Sequence, residues 1–392
     1  MMRSLTRDET IALFVASVVA LDYSVIAAAT DGRMDMMCAA LGQAALASFL
    51  SLRNSNWPPA IFLAACFGAA ALFCHPLGLV STVSLAALNA LRWRQIRWKA
   101  MVAASVPYIF GAALCLRYIL EAPQIFLAQS RAASAYRMTT WKDLAANFFN
   151  DLPFRYFGMY YASLAGINKL KAASLLFALF GTAGLALHPK LRRKEAGRTL
   201  LLLAFIGYAG VAVIDNQKFP VYFIFSMPTL TACAALWTYG CWPQAGVRRA
   251  LSSALLAGGV LATIGGFTVK SYQDGYHRLY LPVISAIKAN LPPGGLVMGG
   301  SELGFALGFG PPLIDDRYVG CSSGKRSDIF VENHYYGRVG QVGQAATTLL
   351  QTQYHLIFEN SDYRVYLANA TSLRGAPHVA VDGSGDQAGG RR

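Results

Sequence analysis

Apolar residues run in long blocks through the first two thirds of the chain, near 10–30, 36–52, 58–74, 77–91, 100–121, 171–187, 199–214, 219–240 and 250–268. Most blocks approach the roughly 20 residues that a helix needs to cross a bilayer. The pattern therefore predicts a mainly α protein, a polytopic helical membrane bundle of about nine spans. Blocks 58–74 and 77–91 are separated only by His75 and Pro76, which fits two short spans or one broken, re-entrant element. Near Lys270 the pattern becomes mixed. "YLPVISAIKANLPPGG" reads as an amphipathic helix stopped by Pro292, Pro293 and Gly294, while "LVMGG", "YHLIFEN" and "DYRVYLA" read as strands. The expected organisation is a transmembrane domain over 1–270 with an external loop at 122–170, a small external α/β domain over 271–375, and a disordered polar tail over 376–392.

Composition agrees, with 55% hydrophobic and 14% charged residues against about 25% charged in soluble domains. The net charge of +14 comes from residues 1–270, which hold 24 Lys/Arg against 10 Asp/Glu. The basic loops "RWRQIRWK" (Arg92–Lys99), "HPKLRRKEAGR" (His188–Arg198) and "GVRR" (Gly246–Arg249) fall on one side of a nine-span arrangement. By the positive-inside rule that side is cytoplasmic, with the N terminus inside and the C terminus outside. Such a balance marks cytoplasmic loops, and no basic-aromatic reader motif points to nucleic acid. The first block has no strong basic region before it, carries Asp22 and leads into further spans, so it reads as a retained span rather than a signal peptide. Six of the seven cysteines lie in or beside apolar blocks and Cys321 stands apart, so no disulfide framework is expected. There is no CxxC, HExxH, P-loop or GxSxG.

The charges that interrupt the apolar blocks are the candidates for chemistry. Asp31, Arg33 and Asp35 fall between the first two blocks, on the expected external face. They read either as a solvated turn with Asp35 at a helix N terminus, or as a cavity lining in which the carboxylate polarises a hydroxyl or holds a cation and the guanidinium meets a phosphate. Lys218 is a snorkelling lysine or a charge for a departing phosphate, and Tyr222, one turn further in, packs or touches a carrier. His75 reads as a satisfied polar residue at a helix end or as a ligand, and no His/Asp spacing marks a metal site. Asp22 lies mid-block: either the helix ends there and places it at the interface, or it faces the bundle. The 122–170 segment interleaves aromatic residues with Arg131, Arg137, Lys142 and Arg155, as an interfacial belt or a lid that brings Arg131 or Arg137 near a lipid phosphate.

Three stretches together resemble the polytopic glycosyltransferases of the GT-C fold, in the style of dolichyl-phosphate-mannose mannosyltransferases and aminoarabinose transferases. "ALDYSVIAAATDGRMDMMCAALGQAALASFLSL" resembles the family's third and fourth spans, with Arg33 and Asp35 matching its Arg-x-Asp. "FCHPLGLV" resembles its His-Pro-x-Gly break, and "NQKFPVYFIFSMPTL" its Lys-x-x-x-Tyr with a downstream proline. The resemblance implies transfer of a sugar from a polyprenyl-phosphate carrier to an acceptor on the external face of a bacterial inner (plasma) membrane, with membrane lipid as a partner. It implies Asp35 as the candidate catalytic residue and Arg33, Lys218, Tyr222, Arg137 and His75 as candidate substrate or carrier contacts, with a divalent metal left open as cofactor. The family's principal catalytic acid lies after its first span, and this chain enters at what resembles the third. The resemblance thus implies a truncated or degenerate form whose main acid is missing. The family uses the acid that Asp35 matches to help with metal or carrier binding. The rival readings are a non-enzymatic polytopic protein, either a lipid-carrier transporter or a scaffold, and a surface-polysaccharide polymerase or ligase.

Overall fold

The computed structural model describes residues 1–30, 34–53, 57–91, 98–121, 144–157, 168–215, 218, 220–243, 246–316, 319–320, 324–333 and 344–369, with a few positions between 123 and 130. It is mostly helical and ends in a small sheet. The chain divides into two compact units, Met1–Val269 and Lys270–Arg392.

The first unit opens with the helices α1 (Met2–Thr6), α2 (Glu9–Ala20) and α3 (Tyr23–Thr30). Asp8 caps α2, its carboxylate accepting from the Ile11 amide at 3.1 Å. The bundle continues through α4 (Met34–Leu52), α5 (Trp57–Cys74), α6 (Gly78–Ala90) and α7 (Trp98–Glu121). The short α8 (Leu144–Phe149) and α9 (Asp151–Phe157) precede α10 (Asn168–Leu187), α11 (Pro189–Arg193), α12 (Glu195–Ile214), α13 (Met227–Cys241) and α14 (Val247–Gln273). The apolar blocks of the sequence fall largely on these helices, except that the first part of the 219–240 block is a 3-10 helix, Pro220–Phe225, ahead of α13. Among the described residues, four helical runs are long and apolar enough to cross a membrane, namely Met34–Leu52, Trp98–Glu121, Glu195–Ile214 and Val247–Asn290. Four others are apolar but shorter: Glu9–Ala20, Pro58–Cys74, Gly78–Ala90 and Ala172–Leu187.

Packing distinguishes inner from outer helices. Nearly every side chain of α13 is buried, as expected of a helix that is apolar all round and central. By contrast α7 buries only Ala100 and exposes Met101, Val102, Ile109, Phe110, Leu114, Leu116 and Leu120. A continuous apolar surface of this kind suits lipid rather than water. Small residues let the helices close up. A Cβ on Gly181 would lie 2.2 Å from the Cβ of Ala234, and one on Gly78 would lie 2.4 Å from the Ala71 carbonyl. The α5–α6 break at His75–Pro76–Leu77 follows from Pro76, which has no amide hydrogen to continue α5.

The second unit follows α15 (Leu281–Asn290) with strands β1 (Val297–Gly299), β2 (Leu313–Asp315), β3 (Ile329–Asn333), β4 (Tyr354–Glu359) and β5 (Tyr363–Ala368), and with α16 (Gln344–Gln353) between β3 and β4. The order across the sheet is β2-β1-β3-β5-β4. β1 pairs in parallel with β2 and β3, and β5 is antiparallel to β3 and β4. The β4–β5 turn is made by Asn360, whose side-chain oxygen accepts from the Asp362 and Tyr363 amides at 3.0 and 2.9 Å. Val283, Ile284 and Ile287 of α15 form one core cluster with Val297, Ile329, Val331 and Val365, and Met298, Phe330, Leu350 and Tyr354 form another.

Candidate functional site

Asp35 lies in the first turn of α4 and is buried, with 2% of its surface exposed. Its Oδ1 meets His75 Nε2 at 3.3 Å, and His75 stands at the break between α5 and α6. The Leu77 amide donates to His75 Nδ1 at 3.2 Å, so the ring proton sits on Nε2, facing Asp35. Two thiols clip the same helices together: Cys38 Sγ donates to the Ala71 carbonyl at 3.1 Å, and Cys74 Sγ to the Met34 carbonyl at 3.5 Å. The imidazole lies 5.5 Å from the Tyr222 ring and stacks on Phe225 at 6.2 Å, both rings carried by a 3-10 helix, Pro220–Phe225. Three residues singled out in the sequence, Asp35, His75 and Tyr222, thus meet from three separate elements.

Lys218 has a different set of partners. Its backbone takes the left-handed φ of 56°, uncommon for a residue with a side chain. The buried ammonium donates to Asp151 Oδ1 at 2.8 Å and to the Ala212 carbonyl at 2.7 Å. Asp151 also receives Arg155 Nε at 3.0 Å and Nη2 at 2.8 Å, and Arg155 Nη1 reaches Asp215 at 2.7 Å. Arg155 and Asp151 have no exposed side-chain surface. The four charges sum to zero and bolt α9 to the end of α12. Burial pushes the Lys218 ammonium below the usual lysine range against the pull of Asp151. Burial acts on Arg155 in the same sense, but its bonds with Asp151 and the charge of Asp215 outweigh it and hold the guanidinium above its usual value. Arg155 bonds two carboxylates, whereas Lys218 bonds one and also feels the repelling charge of Arg155. The aromatic surroundings are the Phe223 ring, 5.9 Å from the Arg155 guanidinium, and Tyr156 and Tyr208 edge-on to Phe223.

Asp22 forms a third polar centre. The first block breaks at Leu21, and Asp22 starts α3 by accepting from the Ser24 and Val25 amides at 2.9 and 3.1 Å. Its other oxygen accepts from Ser174 at 2.6 Å and Thr231 at 3.2 Å. The helix does end early, and the carboxylate turns into the bundle, 6% exposed. The physical reason is its four donors, which give both carboxyl oxygens partners inside the bundle. A cavity of about 210 Å³ adjoins it, lined mainly by apolar groups that include Phe14, Leu21, Phe177 and Val260.

Arg33 and Arg137, like Asp31 and Arg131, lie outside the described residues. Asp151 and Asp215 escaped the sequence reading. The usable signals were the i,i+4 spacing of Asp151 with Arg155 inside an aromatic segment, and an acid three residues before Lys218 at a helix end. Asp35 and His75 supply one carboxylate and one imidazole, and no group of three His, Cys, Asp or Glu side chains converges among the described residues. Neither a protein-family model, nor a curated protein, nor a solved structure matches the chain.

Proposed function

We propose that the chain is an integral membrane glycosyltransferase of the GT-C type that moves a sugar from a polyprenyl-phosphate carrier to an acceptor. In this reading the nine apolar blocks all cross the membrane, the basic loops face the cytoplasm and the Lys270–Arg392 unit lies outside. The observation that carries the reading is the Asp35–His75 contact beside Tyr222. A buried carboxylate set against an imidazole, on helices otherwise apolar, is costly to keep in a membrane and marks a functional centre by default.

The step asks little of the protein. The bond from the sugar's anomeric carbon to the carrier phosphate breaks, and the acceptor oxygen bonds to that carbon. The acceptor's proton passes to the Asp35 carboxylate, which lies 3.3 Å from His75 Nε2 and in this proposal takes the base's role in place of the metal or carrier binding its family counterpart serves. Lys218 and Arg155 already face Asp151 and Asp215, so the departing phosphate falls to Arg33 or Arg137.

The test is the full chain in proteoliposomes with a radiolabelled polyprenyl-phosphate sugar. Asp35→Asn should lower turnover about 10²-fold or more, with His75→Gln in between. Unchanged turnover in Asp35→Asn, or no turnover of any carrier-linked sugar by the wild type, overturns the proposal. The self-neutralising charge cluster favours a second reading, a non-enzymatic polytopic protein. There Asp35→Asn alters stability alone.

A further inference from the structure

The C-terminal unit has a polar and aromatic surface that the transfer chemistry does not use. β1 ends at Gly299, and the turn Ser301–Leu303 sets Glu302 at the carboxyl end of this parallel strand. β3 ends on Asn333, whose Nδ2 donates to Glu302 Oε1 at 2.8 Å. The other oxygen, Oε2, is shielded from solvent and meets no donor among the described residues, although Glu302 as a whole is only partly buried. Gly300 makes room for it, since a Cβ there would lie 2.1 Å from Oε2. The Tyr280 hydroxyl donates to the Glu302 carbonyl at 2.9 Å and pins the turn.

Phe305 follows Glu302 by three residues, in the helical turn Gly304–Leu307, so the two side chains share a face. Its ring meets Phe309 edge-on at 5.3 Å, and the two residues are 75% and 69% exposed. In open sheets with parallel strands, ligands settle at the carboxyl ends of the strands. An orphan carboxylate oxygen requires an O–H or N–H donor, which lipid chains cannot supply. Exposed rings require an apolar face, which a small inorganic ion lacks. A sugar ring carries both, with hydroxyls on its rim and C–H groups on its face.

We propose that Glu302, Asn333, Phe305 and Phe309 form a glycan-binding site, in which a small turn of the Glu302 carboxyl takes a sugar hydroxyl while the ring's C–H face lies on the phenylalanines. The proposal rests on the transferase reading only in naming a carbohydrate as the acceptor class. Binding is measured without transfer, so the two can fail separately.

The experiment is saturation-transfer NMR on the full chain in nanodiscs with a panel of methyl hexopyranosides and their trisaccharides. The expected result is transfer to the ring C–H protons of at least one sugar, with affinity falling at least tenfold in both Phe305→Ala and Glu302→Gln. Asn333→Asp, which removes the donor to Oε1, serves as a third variant. Far-UV circular dichroism shows that each variant keeps its fold. No transfer from any sugar, or transfer unchanged in both variants, overturns the proposal. A Phe305→Trp variant quenched by brominated lipid in the nanodisc also overturns it, because the rings are then a membrane anchor.

Discussion

Replacing Lys218 with Met keeps most of the side-chain stem and removes one charge from the buried cluster. At an effective dielectric of about 20, unit charges 2.8 Å apart attract by about 6 kcal/mol. Desolvation offsets part of this, and breaking a buried pair from one side costs about 3–5 kcal/mol in practice. The Ala212 carbonyl also loses its donor. Lys218→Met should therefore destabilise the first unit by about 4 kcal/mol, about a thousandfold in the folding equilibrium. Asp151→Asn alone leaves Lys218 and Arg155 facing only Asp215 and should cost a similar amount. The double variant keeps Arg155 against Asp215, one charge of each sign, and should cost at least about 1.5 kcal/mol less than the two singles added. The assay is unfolding by sodium dodecyl sulfate in mixed micelles, followed by tryptophan fluorescence and circular dichroism. A loss under about 1 kcal/mol for Lys218→Met, or strict additivity in the double variant, would refute the account of a closed, neutral cluster.

Three further outcomes are expected. Asp22→Ala strands two backbone amides and two hydroxyls and should cost about 3 kcal/mol in the same titration, with Asp22→Asn, which keeps one acceptor oxygen, costing about half. Gly78→Ala drives a methyl against the Ala71 backbone, which cannot rotate aside, and should cost about 1–3 kcal/mol; a neutral result would mean that α5 and α6 pack less closely than described. For topology, a cysteine placed at Lys190 in a background without the native cysteines should react with an impermeant maleimide only from the cytoplasmic side, and one at Ser361 only from the outside. Labelling of both from one side rules out the nine-span arrangement.

The helical blocks were legible in the sequence because an apolar run is a local property. So was the break at His75–Pro76, because proline removes a donor wherever it stands. Among the strands, "YHLIFEN" and "DYRVYLA" carry their own turn between them, and "LVMGG" was visible as a short apolar run. β2 and β3 went unread. "LID" is too short to show a period, and the alignment of β3 with β1 depends on parallel pairing across a long connection.

The amino-acid order by itself determined where helices form, which stretches avoid water and where the chain changes from bundle to α/β unit. Only the tertiary structure decided what each charge faces. Lys218, readable as an open cation, is committed to Asp151, and Arg155 reaches an acid sixty positions away. Asp35 faces His75, and Asp22 lies inside the bundle rather than at its edge. The physical reason is that hydrophobic burial is set residue by residue, whereas a buried charge is tolerable only where a distant partner is brought within about 3 Å, and that distance is a property of the whole packing.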